Sequence, residues 1–565
     1  MESKSWIKHY DQGVPETIRY PKITLTDLLQ IPASTCPDKA ATILYGTKMT
    51  FWELRENSIR LANALAGLGV KKGDRVGIHL PNTPQYVIAY YATLYLGGIV
   101  VNLSPLYTSD ELEKMLNKTG MTTLITFDMV IENVRPIVLK TPLSSVVVTK
   151  VTDFMDGLEK STPEKLGLND NWYHFSQLID NSLNTKLPRV QLSPDDPALI
   201  QFTGGTTGIP KGAVLTHANI VAGAYQVMTW STYIDKIIPA EQHSTLAIIP
   251  YFHVFGNVVG LNRGMLACTS QILVPRFDVD ELMNILENHD NITFFPAVPT
   301  MINAIINHPK SKTMPLGKKF CVLSSGGAPM PVELIEQLND LGIFFTEGYG
   351  LSETCSLATV TPVIGMKKPG SIGIPLPDMD IKLVDIETGE NEVRQGDPGE
   401  IVVKGPVVMQ EYWNDPKETA AQLRDGWLYT GDIAIRDEDD YFFIVDRKKD
   451  MIIAGGYNIY PREIDEVLFT HPKILEAIAV GIPDDYRGET VKAYVVLKEG
   501  KTASEKEIID FCKEKLAVYK TPKLVEFRDS LPKSAVGKIL RKILRDEEAA
   551  KDVRKANLSD MKKDE

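Results

Sequence analysis

Short apolar runs alternate with amphipathic stretches through much of the chain. RVGIHL (75–80), TTLITF (122–127), SSVVVTK (144–150), SQILVP (270–275), ITFFPAV (292–298) and KFCVLSSGG (319–327) are each bounded by turn residues. Their nearly unbroken apolar character predicts strands buried on both faces, as in parallel sheets. Segments between them, such as 278-DVDELMNILENHD-290, space their apolar residues as a helix does. This β-α-β rhythm predicts an α/β multidomain protein with a large N-terminal domain of parallel-rich subdomains. The most apolar long run, 87-VIAYYATLYLGGIVVNL-103, holds three tyrosines in its first half and Gly97-Gly98 inside. A buried helix, a turn and a buried strand account for it better than a membrane span.

Beyond residue 370 the texture changes. The stretches 381–390 and 400–413 read as strands with polar turns, a small β-rich subdomain. Then 441–461 places two strand-like runs around a charged knot, DRKKD (446–450). A helix (462–474), two strands (475–484 and 491–500) and a further helix (504–517) follow, a compact α+β unit. The expected organisation is therefore 1–446, a small domain over 447–545, and a charged tail over 546–565 that frays or is disordered. Residues 181–195, polar and proline-bearing, read as a linker or surface excursion.

The length of 565 residues predicts roughly two to four domains. A net charge of −12 argues against general nucleic-acid binding. The five cysteines are scattered and form no CxxC, so neither a disulfide framework nor a zinc site is readable, as expected of a reducing cytoplasm. The start of the chain, MESKSWIKHYDQG, has no apolar core of the kind a signal peptide needs.

One stretch carries candidate chemistry by itself: 203-TGGTTGIPKG-212. Gly204, Gly205, Gly208 and Gly212 permit close backbone approach. Thr203, Thr206 and Thr207 add hydroxyls, and Lys211 adds a cation, a set suited to phosphate oxygens. The familiar G-x-x-x-x-G-K-[ST] pattern fails here, because Lys211 follows a proline and precedes a glycine. Taken alone, the stretch reads first as a flexible surface loop.

In order, TGGTTGIPKG (203–212), IPYFHVFG (249–256), SSGGAPM (324–330), EGYGLSET (347–354), YTGDIA (429–434), DRKKDMI (446–452) and PKSAVGKILR (532–541) resemble the adenylate-forming superfamily: acyl-CoA synthetases, luciferase-like enzymes and adenylation domains of peptide synthetases. The resemblance covers about residues 20 to 545. NLSPLYTSDELE (102–113), TGGTTG and the block 519–541 look most like bacterial-type long-chain fatty-acid–CoA ligases. It implies a large N-terminal domain with a mobile C-terminal lid. It also implies conversion of a fatty acid, ATP and CoA to acyl-CoA, AMP and diphosphate through an acyl-adenylate, with Mg²⁺ accompanying ATP.

Residue by residue, the resemblance makes Thr203–Gly212 with Lys211 the pyrophosphate loop. Glu353, with Thr206, becomes the Mg²⁺ site, and Ser352 a contact to the α-phosphate. Tyr349 would stack on adenine beside the bare backbone of Gly326, Gly327 and Ala328, with Gly348 and Gly350 flanking it. Asp432 and Arg447 would grip the ribose, and His253 would lie near the acyl carboxylate. Lys538 would be delivered between the α-phosphate and that carboxylate, with Lys449 as hinge. Gly455, Gly456 and Tyr457 would face CoA. Tyr251, Val254, Phe255, Asn257 and Val258 would line the acyl site, where Asn257 stands near a position at which some relatives carry a tryptophan gate. A medium-chain or aryl acid, a free carrier-protein thiol as acceptor, and a non-catalytic acyl-binding or transport role remain open readings. The resemblance also allows a homodimer and peripheral contact with the inner face of the cell membrane.

Overall fold

The computed structural model describes residues 4–167, 171–203, 210–290, 292–327, 330–454, 457–484, 486–533 and 539–561. Its contacts divide the chain into two units. The first is Met1–Ile381 with Val403–Leu428, and the second is Lys382–Val402 with Tyr429–Glu565.

Two large sheets build the first unit. Six parallel strands make the body of one: Trp172–His174, Ser145–Thr149, Thr123–Phe127, Arg75–Ile78, Ile99–Asn102 and Pro197–Phe202, in that spatial order. Gly212–Thr216 continues it antiparallel, and Glu411–Tyr412 closes its edge. The other sheet runs parallel through Phe344–Tyr349, Phe320–Gly326, Ile292–Ala297, Ser244–Ala247, Ser270–Leu273 and Ala40–Leu44. The six apolar runs read as strands all lie in these two sheets. Their side chains are almost entirely buried, which explains the lack of polar alternation.

The run 87–103 resolves into the helix Pro84–Tyr95 and the strand Ile99–Asn102. Thr83 caps the helix by accepting from Tyr86 N, and Pro84 sits where its missing N–H costs nothing. All 12 helical residues are buried. At its start, Asn82 donates to Ala247 O (2.9 Å) and Ile249 O (3.0 Å) beside one sheet. Tyr86 Oη donates to Asn102 Oδ1 (2.6 Å) on the other. The helix therefore ties the two sheets together. Among the described residues, no helix is long and apolar enough to cross a membrane.

In the second unit, Ile474–Asp484 and Gly488–Leu497 form a long antiparallel ladder. Pro461–Phe469 and Glu505–Lys515 pack a core of Ile464, Leu468, Ile508 and Cys512. The tail belongs to a helix, Arg541–Met561. The second unit begins earlier than the boundary expected after 446. The reason is visible in its bonds: Lys448 N donates to Gly431 O (2.8 Å) and Lys448 Nζ to Glu400 Oε2 (3.0 Å). These bonds tie the charged knot to the strands before it.

Candidate active site

The strands Pro197–Phe202 and Gly212–Thr216 pair from Pro197↔Thr216 to Phe202↔Gly212, and Thr203 N then donates to Lys211 O at 2.8 Å. These bonds close the neck of the glycine-threonine loop. Gly204, Gly205, Thr206, Thr207 and Gly208 lie outside the described residues, as do Ala328, Gly455, Gly456 and Lys538. Gly212 has a packing reason, because a Cβ there would meet Ile200 Cγ2 at 2.8 Å. Lys211 Nζ is ion-paired with Glu418 and stands 5.2 Å from the centroid of the Tyr412 ring.

Tyr412 reaches a second expected residue. Its hydroxyl donates to Glu353 Oε1 at 2.7 Å, while Met409 N donates to Glu353 O at 2.8 Å. Glu353 lies in the turn Ser352–Thr354, which follows the strand Phe344–Tyr349. The turn is forced by its neighbours. Cys355 and Ser356 have φ of 48° and 94°, and a Cβ on Gly350 would come within 1.6 Å of Ser356 O. Gly350 is therefore obligatory for the backbone path that presents Glu353. Cys355 is buried, and burial raises its thiol well above the ordinary value, as suits a structural thiol.

Two adjacent parallel strands end together here. Gly326 pairs with Gly348 in register, placing Gly327 just past the carboxyl end of one strand and Tyr349 at the carboxyl end of the other. Ligands bind outside such strand ends in open α/β sheets. Gly327 has φ of +79° and open space where a side chain would stand. Tyr349 is half-buried at the last position of its strand. The Phe255 ring comes 3.6 Å from the place of a Gly326 Cβ, so the acyl-side segment adjoins the glycine pair.

Phe255–Asn262 is a π-helix, a rare form found mostly at functional sites. His253 precedes it, and its Nδ1 accepts from Phe255 N at 3.2 Å, so a neutral ring carries its proton on Nε2. Val254 and Val258 are buried. Tyr251 is fully buried, its hydroxyl donated to Gln271 Oε1 at 2.9 Å and its N–H to Asn82. Asn257 is held by Tyr86, Tyr90 and Asn262 in one buried amide–phenol network. Both residues thus stand within a core network beside the expected acyl site. A small apolar cavity of about 20 Å³, room for little more than a water molecule, lies between the helix His217–Trp230 and the sheet that holds Phe344–Tyr349. Val227, Trp230, Phe294, Val322, Ser324 and Thr346 wall it.

The second unit holds its own constellation. Asp432 and Arg447 are register partners on neighbouring strands, and Arg447 Nε stands 3.1 Å from Asp432 Oδ1. Tyr457 is exposed and stacks on Tyr519, with centroids 4.7 Å apart. Lys449 O accepts from Arg545 Nη1 at 2.8 Å. The flanking Asp446 and Asp450 face Arg541 at 3.7 and 3.5 Å. Arg541 also pairs with the partly buried Asp465, whose carboxyl is pushed up to about 7 by desolvation, with Arg541 opposing that rise. The residues around the expected hinge are thus bound to the segment that follows Lys538. Sequence reasoning passed over Tyr412, Glu418, Arg541 and the π-helix. The string EYWNDPKET (411–419) and the arginine of GKILR were their visible signals.

Glu353 meets one test of a cation site. One carboxylate oxygen is held by Tyr412, and the other has no partner among the described residues. A single protein carboxylate suits Mg²⁺, which completes its shell with phosphate and water.

The AMP-binding enzyme family matches residues 29–413, and the AMP-binding enzyme C-terminal domain matches 463–538. A long-chain-fatty-acid–CoA ligase of Bacillus subtilis is 41% identical over 557 residues, covering 96% of this chain and 98% of that protein. One from Escherichia coli is 38% identical over 566 residues, covering 97% and 99%. The crystal structure of ATP-bound MatB from Rhodopseudomonas palustris superposes with a TM-score of 0.81 at 28% identity, covering 93% of this chain and 99% of that one. With the family model over most of its length and relatives at 38–41% identity along it, the chain belongs to the AMP-binding enzymes, the adenylate-forming family.

Proposed function

We propose that this protein is an AMP-forming fatty-acid–CoA ligase acting on long-chain acids. The carrying observation is that one tyrosine, Tyr412, touches both the cation Lys211 and the carboxylate Glu353. Lys211 lies over its ring and Glu353 is bonded to its hydroxyl, so a cation and a carboxylate are held in one neighbourhood, as a triphosphate with its counter-ion requires. The likeness to the Bacillus subtilis long-chain-fatty-acid–CoA ligase supports an aliphatic substrate.

In the first half-reaction a fatty carboxylate oxygen attacks the α-phosphorus of ATP. The bond to the β,γ-diphosphate breaks, leaving acyl-adenylate and pyrophosphate. In the second, the CoA sulfur attacks the acyl carbon, AMP leaves with the electron pair, and the thiol proton passes to solvent. The chain's task is to hold two anions together. Lys211 binds the departing pyrophosphate; a unit charge pair about 4 Å apart is worth roughly 4 kcal/mol at an effective dielectric near 20, before desolvation. Glu353, with Thr206, would hold Mg²⁺, which when bound screens the phosphate charges and orients the leaving group. Tyr349 covers adenine against Gly326 and Gly327, and Asp432 with Arg447 takes the ribose hydroxyls. His253, with Nε2–H outward from its Nδ1 bond, donates toward the acyl carboxylate. It is no general base, because that carboxylate is already ionised at neutral pH. Lys538 stabilises charge passing between carboxylate and α-phosphate. Lys449 serves as hinge for the exchange of half-reactions, and Gly455, Gly456 and Tyr457 receive CoA.

The test is a panel of acids from acetate to oleate, with benzoate and coumarate, scored for AMP with and without CoA. We expect Mg²⁺- and acid-dependent AMP and pyrophosphate, greatest with long-chain acids. ADP and phosphate as products would overturn the reaction; preference for coumarate would overturn the acyl class.

A further inference from the structure

Residues 409–422 form a strap that touches both groups assigned to the triphosphate. Gln410 N donates to Val214 O (2.9 Å) and Trp413 N to Gly212 O (2.7 Å), fastening the strap beside the neck of the phosphate loop. Tyr412 then covers Lys211 with its ring and holds Glu353 with its hydroxyl. Asp415 begins the short helix Pro416–Gln422 by accepting from Glu418 N at 3.1 Å, and Thr419 Oγ1 accepts from Tyr412 N at 2.9 Å. These bonds fix where Glu418 stands, and it ion-pairs with Lys211.

That pairing has a chemical consequence. Both side chains are about three-quarters withdrawn from water, at 24% and 30% exposure. A half-buried ammonium against an aromatic face needs an anion to offset its lost hydration. Glu418 supplies one carboxylate. A pyrophosphate supplies more charge and more oxygens, and can take the same ammonium. The two cannot both hold Lys211 in its present geometry.

We propose that Glu418 is a built-in competitor for the pyrophosphate group: it holds Lys211 before ATP arrives, gives it up to the phosphates, and reclaims it as pyrophosphate leaves. This rests on the reading of Lys211 as the pyrophosphate cation. The exchange lowers affinity for pyrophosphate and speeds its release, so the adenylation step is pulled forward without any change at the reacting atoms.

The experiment compares the full-length protein with Glu418→Gln, Lys211→Ala and the double variant. Binding of magnesium pyrophosphate is measured by calorimetry, and pyrophosphate inhibition of AMP formation by steady-state kinetics. Glu418→Gln should bind pyrophosphate about five- to tenfold more tightly and show correspondingly stronger product inhibition. That gain should vanish on a Lys211→Ala background. Glu418→Asp, shorter by one methylene, should fall between wild type and Glu418→Gln. Unchanged or weaker pyrophosphate binding in Glu418→Gln, with Lys211→Ala still weakening it, would overturn the competitor role while leaving the loop assignment intact. Unchanged binding in Lys211→Ala would remove the loop assignment and this proposal together.

Discussion

Arg447 Nε reaches Asp432 Oδ1 at 3.1 Å from the directly facing position on the neighbouring strand. Asp432 is 4% exposed, so its carboxylate is oriented by backbone pairing and by the guanidinium together. A fixed acceptor beside a fixed donor suits the two hydroxyls of a ribose. Hydrogen bonds to a charged group contribute about 1.5–3 kcal/mol, or roughly ten- to a hundredfold in binding. Asp432→Asn should therefore weaken ATP binding at least tenfold in calorimetry while acid affinity stays near wild type. Equal ATP affinity in the variant would remove Asp432 from the nucleotide site.

Tyr412→Phe removes the hydroxyl that holds Glu353 Oε1 and leaves the ring over Lys211. The carboxylate then loses its orientation and not its charge. The Mg²⁺ concentration giving half-maximal ATP binding should rise several-fold, and excess Mg²⁺ should restore binding. A loss that Mg²⁺ does not rescue would show Tyr412 to be merely structural.

Lys538→Ala should abolish acyl-adenylate formation yet largely spare thioester formation from supplied acyl-adenylate. The comparison is a pair of single-turnover assays, one for each half-reaction. Similar losses in both would contradict separate conformations for the two steps.

Two buried histidines set an acid limit. His79 lies between Thr126 Oγ1 and Ser104 O, and burial depresses its pKa to about 4. His217 accepts from Leu25 N, and burial likewise brings it to about 4, with Asp196 and Asp27 pulling the other way. Both are neutral in the folded chain at pH values where the unfolded chain, near 6.5, takes up a proton. Their contribution is full above about pH 6.5 and is lost as pH falls toward 4, by roughly 3 kcal/mol each. The urea midpoint should decline across this window. Replacing His79 with Asn should remove about one proton from the slope, whatever it does to stability at pH 8; an unchanged slope would refute the assignment.

Much of the framework was legible because burial is written locally. The runs 122–127 and 144–150 hold strands in which all five residues are buried, and their Leu, Ile, Phe and Val mark them as such in the sequence. Gly350 could be read as special, though not why, since the clash it avoids is with Ser356 O across a left-handed turn. The string EYWNDPKET shows Glu418 as a carboxylate and gives no sign of what it pairs with. Its partner Lys211 lies 207 residues away, and no local pattern encodes an ion pair brought together by the pairing of Glu411–Tyr412 with Gly212–Thr216. The π-helix was hidden for a related reason: its amides Asn257 and Asn262 bond to Tyr90 on another element, so the extra backbone residue is stabilised from outside. The unit division also escaped texture, because the bonds of Lys448 to Gly431 and Glu400 cross the charged knot.

The helix Pro84–Tyr95 has no water-facing side. Neither half of the first unit can part from the other without baring a full cylinder of tyrosine and aliphatic carbon. Melting of that unit is consequently all-or-none, and a fragment cut between its two sheets would precipitate instead of persisting as a smaller domain.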